Sequence, residues 1–219
     1  MARKITALEP QQKNPQRVNV HLDGEFAFGL AAIVAAWLKV GQELDDEKIA
    51  RLQAEDAREV AYQKALHFLS YRVRSSAEVR QNLTRRGMAE ELVEATVARL
   101  QGNGLLDDTQ FARQWVDNRN EFRPRSRAAL KLELRRKGLD DEVIQSTLET
   151  GVDEEALARQ AARKQARRYA GLEWQAFRQK LGGFLARRGF SYDIIAPVLS
   201  EVWNEIGQTA EAGDTPNEE

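Results

Sequence analysis

The chain has 219 residues, with 33 Lys and Arg against 34 Asp and Glu, and it contains no cysteine. The lack of cysteine excludes disulfides and thiolate metal sites, and 7% aromatic against 31% charged residues favours short charged helices over a deep ligand cavity. The longest apolar run, Leu30 to Leu38, is too short to cross a bilayer, so we expect a cytoplasmic protein without membrane association.

Residues 1–40 carry short β-prone runs and one tight-turn signal. The runs are Lys4 to Leu8 and Arg17 to Leu22, and Asp23-Gly24 is typical of a two-residue hairpin turn. We therefore predict a small β-hairpin or three-stranded appendage over 1–40. Because such a ribbon is only marginally stable alone, it should pack on the following helix or on a partner.

Helical periodicity follows as far as Ile206. It predicts helices over 30–38, 45–70, 75–86, 89–102, 107–121, 126–137, 140–150, 153–170, 174–188 and 191–206. After Ile206 the sequence becomes polar and acidic, which predicts a disordered tail over 207–219.

A basic-basic-Gly-apolar signature recurs every 51 residues, at Gly87, Gly138 and Gly189. Apolar residues keep the same register around it and should form the core, at Val79, Leu130 and Leu181, at Leu83, Leu134 and Leu185, at Leu92, Val143 and Ile194, and at Val97, Leu148 and Leu199. A fixed period marks stacked units that bury their apolar faces against one another. We predict a mainly α fold of three tandem three-helix repeats, over 41–104, 105–151 and 152–206, with the N-terminal β-hairpin appendage.

Each signature should join two helices. The glycine ends the first helix in the left-handed conformation, and Asp140 or Ser191 then caps the next one, whereas the first copy has Ala89 at the cap and the weakest start. Apolar residues that flank these and two further caps predict hydrophobic staples, namely Leu139 with Ile144, Phe190 with Ile195, Leu44 with Ile49, and Leu106 with Phe111.

Signals of catalysis are weak in this sequence. Acid pairs such as Asp45-Asp46 and Asp107-Asp108 fall at predicted helix starts, where capping explains them. His21 and His67 lie far apart, and there is no Gly-rich phosphate loop with its lysine. We expect no enzyme activity, no metal and no cofactor.

Two basic blocks stand out against this background. The first is offset by Glu133 alone and the second by Glu173 alone. The blocks consist of Arg123, Arg125, Arg127, Lys131, Arg135, Arg136 and Lys137, and of Arg159, Arg163, Lys164, Arg167, Arg168, Arg178, Lys180, Arg187 and Arg188. Cations in the last turn of a helix also complement its dipole, and a charged strip is often a solvated face. Since Arg159, Arg163 and Arg167 share one helix face with almost no acid to pair with it, we favour binding of a polyanion or of an acidic protein groove.

Four stretches combine these signals in a specific way. They are Arg74-Ser75-Ser76-Ala77-Glu78-Val79 with Leu83 and Arg86-Gly87, Gly104-Leu105-Leu106-Asp107-Asp108-Thr109-Gln110-Phe111-Ala112-Arg113, Arg123-Pro124-Arg125-Ser126 with Leu134-Arg135-Arg136-Lys137-Gly138, and Phe184-Leu185-Ala186-Arg187-Arg188-Gly189-Phe190-Ser191. Over roughly residues 55–203 the sequence strongly resembles the RecX regulatory proteins of bacteria.

The resemblance implies a non-enzymatic role in recombination, DNA repair and the SOS response. A protein of this kind binds in the groove of the RecA filament on DNA and modulates its assembly, ATP hydrolysis and strand exchange, with inhibition expected. We expect a monomer whose partners are the RecA filament and DNA of any sequence, single-stranded first and double-stranded as a further candidate. The candidate contact residues are Arg123, Arg125, Arg127, Lys131, Arg135, Arg136, Lys137, Arg159, Arg163, Lys164, Arg167, Arg168, Arg187 and Arg188. Two alternatives stay open, a general DNA-binding helical module and a helical-repeat adaptor for another acidic protein.

Overall fold

The computed structural model describes residues 2–212, with side chains as far as Ile206. This part of the chain forms ten α-helices and four strands, which divide between two compact units, the first ending at Leu106 and the second beginning at Asp107. The predicted fold class is confirmed, whereas the predicted division into five segments stays a prediction. Across the described residues, the helices lack the length and apolar character that a membrane span requires.

The first unit begins with an antiparallel sheet. Strands β1 (Arg3–Gln11), β2 (Asn14–Leu22), β3 (Glu25–Ala31) and β4 (Glu43–Leu44) lie in the order β3-β2-β1-β4. Asp23 and Gly24 make the β2–β3 turn with φ of 53° and 91°, as the Asp-Gly pair predicts. The fourth strand was not predicted, because two residues are too few to show an alternating pattern.

The predicted helix over 30–38 is wrong in its extent. Leu30 pairs with Val18 and is fully buried, so β3 continues to Ala31, and helix α1 covers only Ala32–Ala35. The pairing of β3 with β2 and the burial of Leu30 thus override the helical pattern of the local sequence.

The sheet packs on helix α2 (Asp46–Leu69), as expected for a ribbon that is unstable alone. The carboxylate of Asp56 on α2 accepts a hydrogen bond from Arg17 Nη2 at 3.0 Å and another from the backbone N–H of Ala31. A separate apolar core, formed mainly by Ile5, Val20, Leu22, Leu30, Leu44 and Ile49, lies beneath the strands.

The rest of the first unit is a helix triple. The second half of α2 packs with α3 (Ser76–Thr84) and α4 (Glu90–Gly102). Its core contains Tyr62, Ala65, Val79, Leu83, Val93, Val97, Leu100 and Leu106.

The second unit contains two further triples around one continuous core. Its helices are α5 (Asp108–Phe122), α6 (Arg127–Arg136), α7 (Asp141–Gly151), α8 (Glu154–Ala166), α9 (Trp174–Arg187) and α10 (Tyr192–Ala212), with a 3-10 turn over Arg167–Tyr169. Helix α10 continues beyond the predicted end at Ile206. The remaining part of the predicted acidic tail, 213–219, lies outside the described residues.

The repeated glycines have the predicted conformation. Gly87, Gly138 and Gly189 have φ of 77°, 74° and 91°. In each copy the N–H of the residue after the glycine donates back to a leucine carbonyl, with Met88 to Leu83 at 3.4 Å, Leu139 to Leu134 at 3.3 Å and Phe190 to Leu185 at 3.3 Å. These are the bonds of a Schellman motif, so the signature that recurs every 51 residues is a repeated helix C-cap.

Three of the four predicted core columns are buried in every copy. The column of Leu92, Val143 and Ile194 is only half-buried, and the next residue in each copy, Val93, Ile144 and Ile195, fills the core instead. The prediction was therefore wrong by one residue at the start of the second helix.

The predicted helix caps divide into two groups. Asp45 accepts from Lys48 N at 2.8 Å, and Asp107 accepts from Thr109 N at 2.8 Å and Gln110 N at 2.9 Å. Asp140 occupies the N-cap position of α7, but within the described structure its side chain makes no cap hydrogen bond. The buried serines Ser75 and Ser126, which we did not predict as caps, accept from the N–H groups of Glu78 and Ala129.

Candidate nucleic-acid interface

The carboxylate of Glu133 organises the first basic block. Glu133 Oε2 accepts from Trp115 Nε1 and from Arg119 Nε, both at 2.8 Å, while Oε1 pairs with Arg125 Nε at 2.9 Å. Through these contacts Glu133, whose side chain is only 17% exposed, joins α5, α6 and the segment between them. Arg125 is therefore held by the second triple and does not extend freely into solvent.

Three more cations of this block have internal partners. Arg127 donates to the carbonyl of Val152 from Nη2 at 2.6 Å, and Lys137 Nζ lies 4.9 Å from the centre of the Trp115 ring. Arg135 forms a bidentate pair with Asp141, at 2.7 and 2.8 Å. That hydrogen bonding raises the pKa of Arg135 and lowers the pKa of Asp141.

Arg188 lies where the second and third triples meet. Its Nη1 donates to the carbonyl of Pro124 at 2.9 Å, its own carbonyl accepts from Ser126 N at 3.2 Å, and its guanidinium lies over the Phe184 ring. Desolvation by burial lowers the pKa of Arg188, and the nearby charges of Arg125 and Arg123 lower it further. We call this contact the joint, defined by Pro124 to Ser126 and Arg188 to Gly189.

The strip on α8 has acidic partners on α10. Arg159 Nε donates to Glu201 at 3.0 Å, and Arg163 donates to Glu205 from Nε at 2.9 Å and to Glu201 from Nη2 at 3.2 Å. Hydrogen bonding between Arg163 and Glu205 raises the pKa of the arginine and lowers that of the acid. The expectation that this strip has almost no acid to pair with it was wrong, because the two acids lie about 40 positions further along the chain.

Beyond Arg163 the strip changes character. Helix α8 ends at Ala166, so Arg167 and Arg168 lie in the 3-10 turn, where both are exposed. A groove of about 750 Å³ opens beside Arg163 and is lined also by Lys164, Arg167 and the apolar side chains of Val202 and Ile206. Lys164 Nζ reaches the carbonyl of Glu121 at 3.3 Å.

The structure therefore divides the candidate residues into two sets. Six of them make no hydrogen bond or ion pair to the described residues through their side chains, and we call these the open cations. They are Arg123, Lys131, Arg136, Arg167, Arg168 and Arg187. The other eight have partners within the second unit. Glu201 and Glu205 were missed as partners, although their spacing of four residues matches that of Arg159 and Arg163 and could have indicated a facing pair.

Histidine takes no part in this surface. His67 Nε2 lies 3.0 Å from the hydroxyl of Tyr71, and His21 faces Glu9 at 3.6 Å. In the described residues, the His, Asp and Glu side chains form no cluster with the arrangement of a metal site.

Comparison with known proteins gives the family. Models of RecX match four segments: the N-terminal domain of regulatory protein RecX over 3–45, and the first, second and third three-helix domains over 61–100, 107–148 and 153–199. The chain belongs to the RecX family. The sequence motifs covered roughly residues 55–203, and the N-terminal match extends the family assignment to the sheet. The other three matches coincide with the three helix triples of this RecX-family chain.

Curated relatives and solved structures agree with this assignment. The chain is 34% identical to regulatory protein RecX of Bacillus licheniformis, over 94% of this chain and 80% of the relative, and 32% identical to that of Bacillus subtilis, with the same coverage. A crystal structure of regulatory protein RecX matches with a TM-score of 0.71 and 30% identity, over 90% of this chain and 98% of that one. RecX from Lactobacillus salivarius matches with a TM-score of 0.60 and 27% identity, over 68% of this chain and 97% of that one. The relatives are named regulatory proteins.

Proposed function

We propose that this RecX-family chain is a non-enzymatic regulator that binds the RecA filament on DNA and restrains its assembly, ATP hydrolysis and strand exchange. The observation that carries the proposal is the set of open cations on the second and third triples. It gains support from the family, whose members are named regulatory proteins.

Phosphates are the ligands that best suit the open cations. An exposed arginine without an acidic partner binds a phosphodiester and releases its condensed counterions, which gives salt-dependent affinity without sequence preference. Open cations occur in both triples that meet at the joint, with Arg123 and Arg136 in the second and Arg168 and Arg187 in the third. We infer that the open cations make the first contacts with DNA in the filament, because the other eight cations are already engaged by groups within the second unit.

The direct test is RecA ATPase on single-stranded DNA, measured with and without the chain. We expect a decrease in hydrolysis that saturates with the chain's concentration. If hydrolysis stays unchanged while the chain still binds DNA, the general DNA-binding alternative replaces the RecA proposal. If the chain binds neither DNA nor the filament, the adaptor alternative remains.

A triple variant tests the open cations themselves. Arg136, Arg167 and Arg168 are each changed to Gln, and the slope of log affinity against log salt for single-stranded DNA should flatten by about 0.7 for each phosphate that the variant no longer neutralises. The matched control changes Lys13, Lys64 and Arg85 to Gln. These exposed cations of the first unit carry the same total charge and also lack ion pairs among the described residues. Both variants should keep their melting temperatures, because exposed substitutions without structural partners cost little. Equal affinity for the two variants would remove the assignment of this surface.

A further inference from the structure

Two arginines on α8 face two glutamates on α10 in a regular arrangement. Arg159 and Arg163 are one helical turn apart, as are Glu201 and Glu205. Arg163 uses Nε and Nη2 to hold both oxygens of Glu205, and the Arg159 fork bridges Glu155 and Glu201. A guanidinium makes the same two-pronged contact with a carboxylate as with a phosphate. The carboxylates of α10 therefore occupy positions where phosphate oxygens would fit.

Helix α10 does not need these ion pairs to stay in place. Val198, Leu199 and Val202 on the same helix are buried at 2%, 4% and 1% exposure, in the continuous core of the second unit. Because apolar burial dominates helix docking, loss of the two carboxylates should leave α10 packed on α8 and α9.

The ion pairs are also open to exchange. The side chains of Glu201 and Glu205 are each 40% exposed, and that of Arg163 is 53% exposed. Exposed pairs of this kind contribute little to stability and are screened by salt, so a polyanion can compete for the arginines. The groove beside Arg163 leads directly to Arg167, which is an open cation.

From this geometry we propose that Arg159 and Arg163 form a phosphodiester-binding site that the chain masks with its own Glu201 and Glu205. The inference rests on the proposed function and adds a regulation of the same surface. A nucleic-acid strand first meets Arg167, and its phosphates then displace the two carboxylates from the α8 arginines. The acids thereby lower the affinity for isolated DNA. Tight binding then occurs only where DNA is present at high local concentration.

The test is the double variant Glu201→Gln and Glu205→Gln, measured for binding to single-stranded oligonucleotides by fluorescence anisotropy over a range of salt. Glutamine keeps the size of the side chain and removes its charge. We expect binding that is roughly threefold to tenfold tighter, because an exposed ion pair opposes binding only weakly. The salt slope should become steeper by about 0.7 for each additional phosphate that Arg163 and Arg159 neutralise, and Arg159 keeps its pair with Glu155 on its own helix.

A matched control separates masking from a change in net charge. Glu47 and Glu94 in the first unit pair with Arg51 at 3.6 Å and with Arg80 at 2.8 Å. The variant Glu47→Gln and Glu94→Gln removes the same total charge, but it should leave affinity and salt slope close to those of the unchanged chain. If the two double variants bind equally tightly, the masking proposal is overturned.

A further variant tests whether the gain passes through the arginines. Arg159→Gln and Arg163→Gln, added to Glu201→Gln and Glu205→Gln, should cancel the gain in affinity. A gain that persists in this quadruple variant overturns the proposal, provided that circular dichroism shows an unchanged helical signal. Normal binding by the unchanged chain with no gain in the double variant removes masking alone. A lack of DNA binding by every variant also removes the DNA-binding part of the proposed function.

Discussion

The turn at Gly87 and the turn at Gly189 share one sequence signature and one backbone, yet they have different surroundings. Both have positive φ, and both close a Schellman motif onto a buried leucine. At Gly87 a Cβ atom would meet no described atom within 4 Å, whereas at Gly189 it would lie 2.5 Å from Ser126 Oγ and 3.0 Å from Ala129 Cβ. A repeated motif thus predicts a local conformation, but its tertiary role depends on which other parts of the chain pack against it.

The arginine before each glycine shows the same difference. Arg86 is exposed and donates from Nε to Asn82 Oδ1 at 3.1 Å, back onto the helix that it follows. Arg188 is half-buried and donates to Pro124 across the joint. The sequence treats both as cations in the last turn of a helix. Only the packing of the second triple on the third gives Arg188 its contact between the two triples.

The largest effect should come from the buried leucine whose carbonyl closes each turn, Leu83 at the first and Leu185 at the second. Leu83→Ala and Leu185→Ala each remove a fully buried side chain, so each should lower the free energy of unfolding by about 2–5 kcal/mol. Chemical denaturation followed by circular dichroism measures this loss. A negligible loss at one of the two positions would show that the turns are not equivalent even in their own cores.

The glycines should separate the two turns. Gly87→Ala introduces only the strain of a side chain at positive φ, about 1–2 kcal/mol. Gly189→Ala adds a clash with Ser126, and overpacking of this kind typically costs a further 1–3 kcal/mol or so. Thermal unfolding of the two variants compares them directly. Equal losses would mean that the joint adapts at no cost and that Gly189 is only a C-cap.

The arginines give a smaller effect in the same direction. Arg188→Gln removes a charged hydrogen bond to a carbonyl and the contact with Phe184, so it should destabilise the chain by about 1–2 kcal/mol. Arg86→Gln should stay within about 0.5 kcal/mol, because its contact is on the surface. Denaturation midpoints of this pair provide the measurement. An Arg188→Gln variant with unchanged stability and reduced DNA affinity would show that Arg188 contacts DNA and does not stabilise the joint.

How far the sequence predicts this molecule depends on the range of each signal. Helix positions, the Asp23-Gly24 turn and the C-cap glycines depend on residues a few positions apart, and the sequence predicts them well. Helix α1 was overestimated because strand pairing extends β3, which is a tertiary effect. For the candidate site, the sequence located both basic blocks. It did not show which arginines are open, because Glu201 comes to Arg159 only through the packing of α10 on α8.

The smallest effects concern two helix caps that the sequence treats alike. Asp107 accepts two backbone hydrogen bonds at the start of α5, so Asp107→Ala should cost about 1 kcal/mol, while Asp107→Asn should be nearly silent since asparagine caps equally well. Asp140 makes no such bond in the described structure, so Asp140→Ala should change the free energy of unfolding by less than about 0.5 kcal/mol. The buried pair of Leu139 and Ile144 then fixes the start of α7 without a polar cap. Urea denaturation of the three variants measures these differences. A loss at Asp140 as large as that at Asp107 would show that this side chain caps α7 in solution, and the two aspartates would again be equivalent.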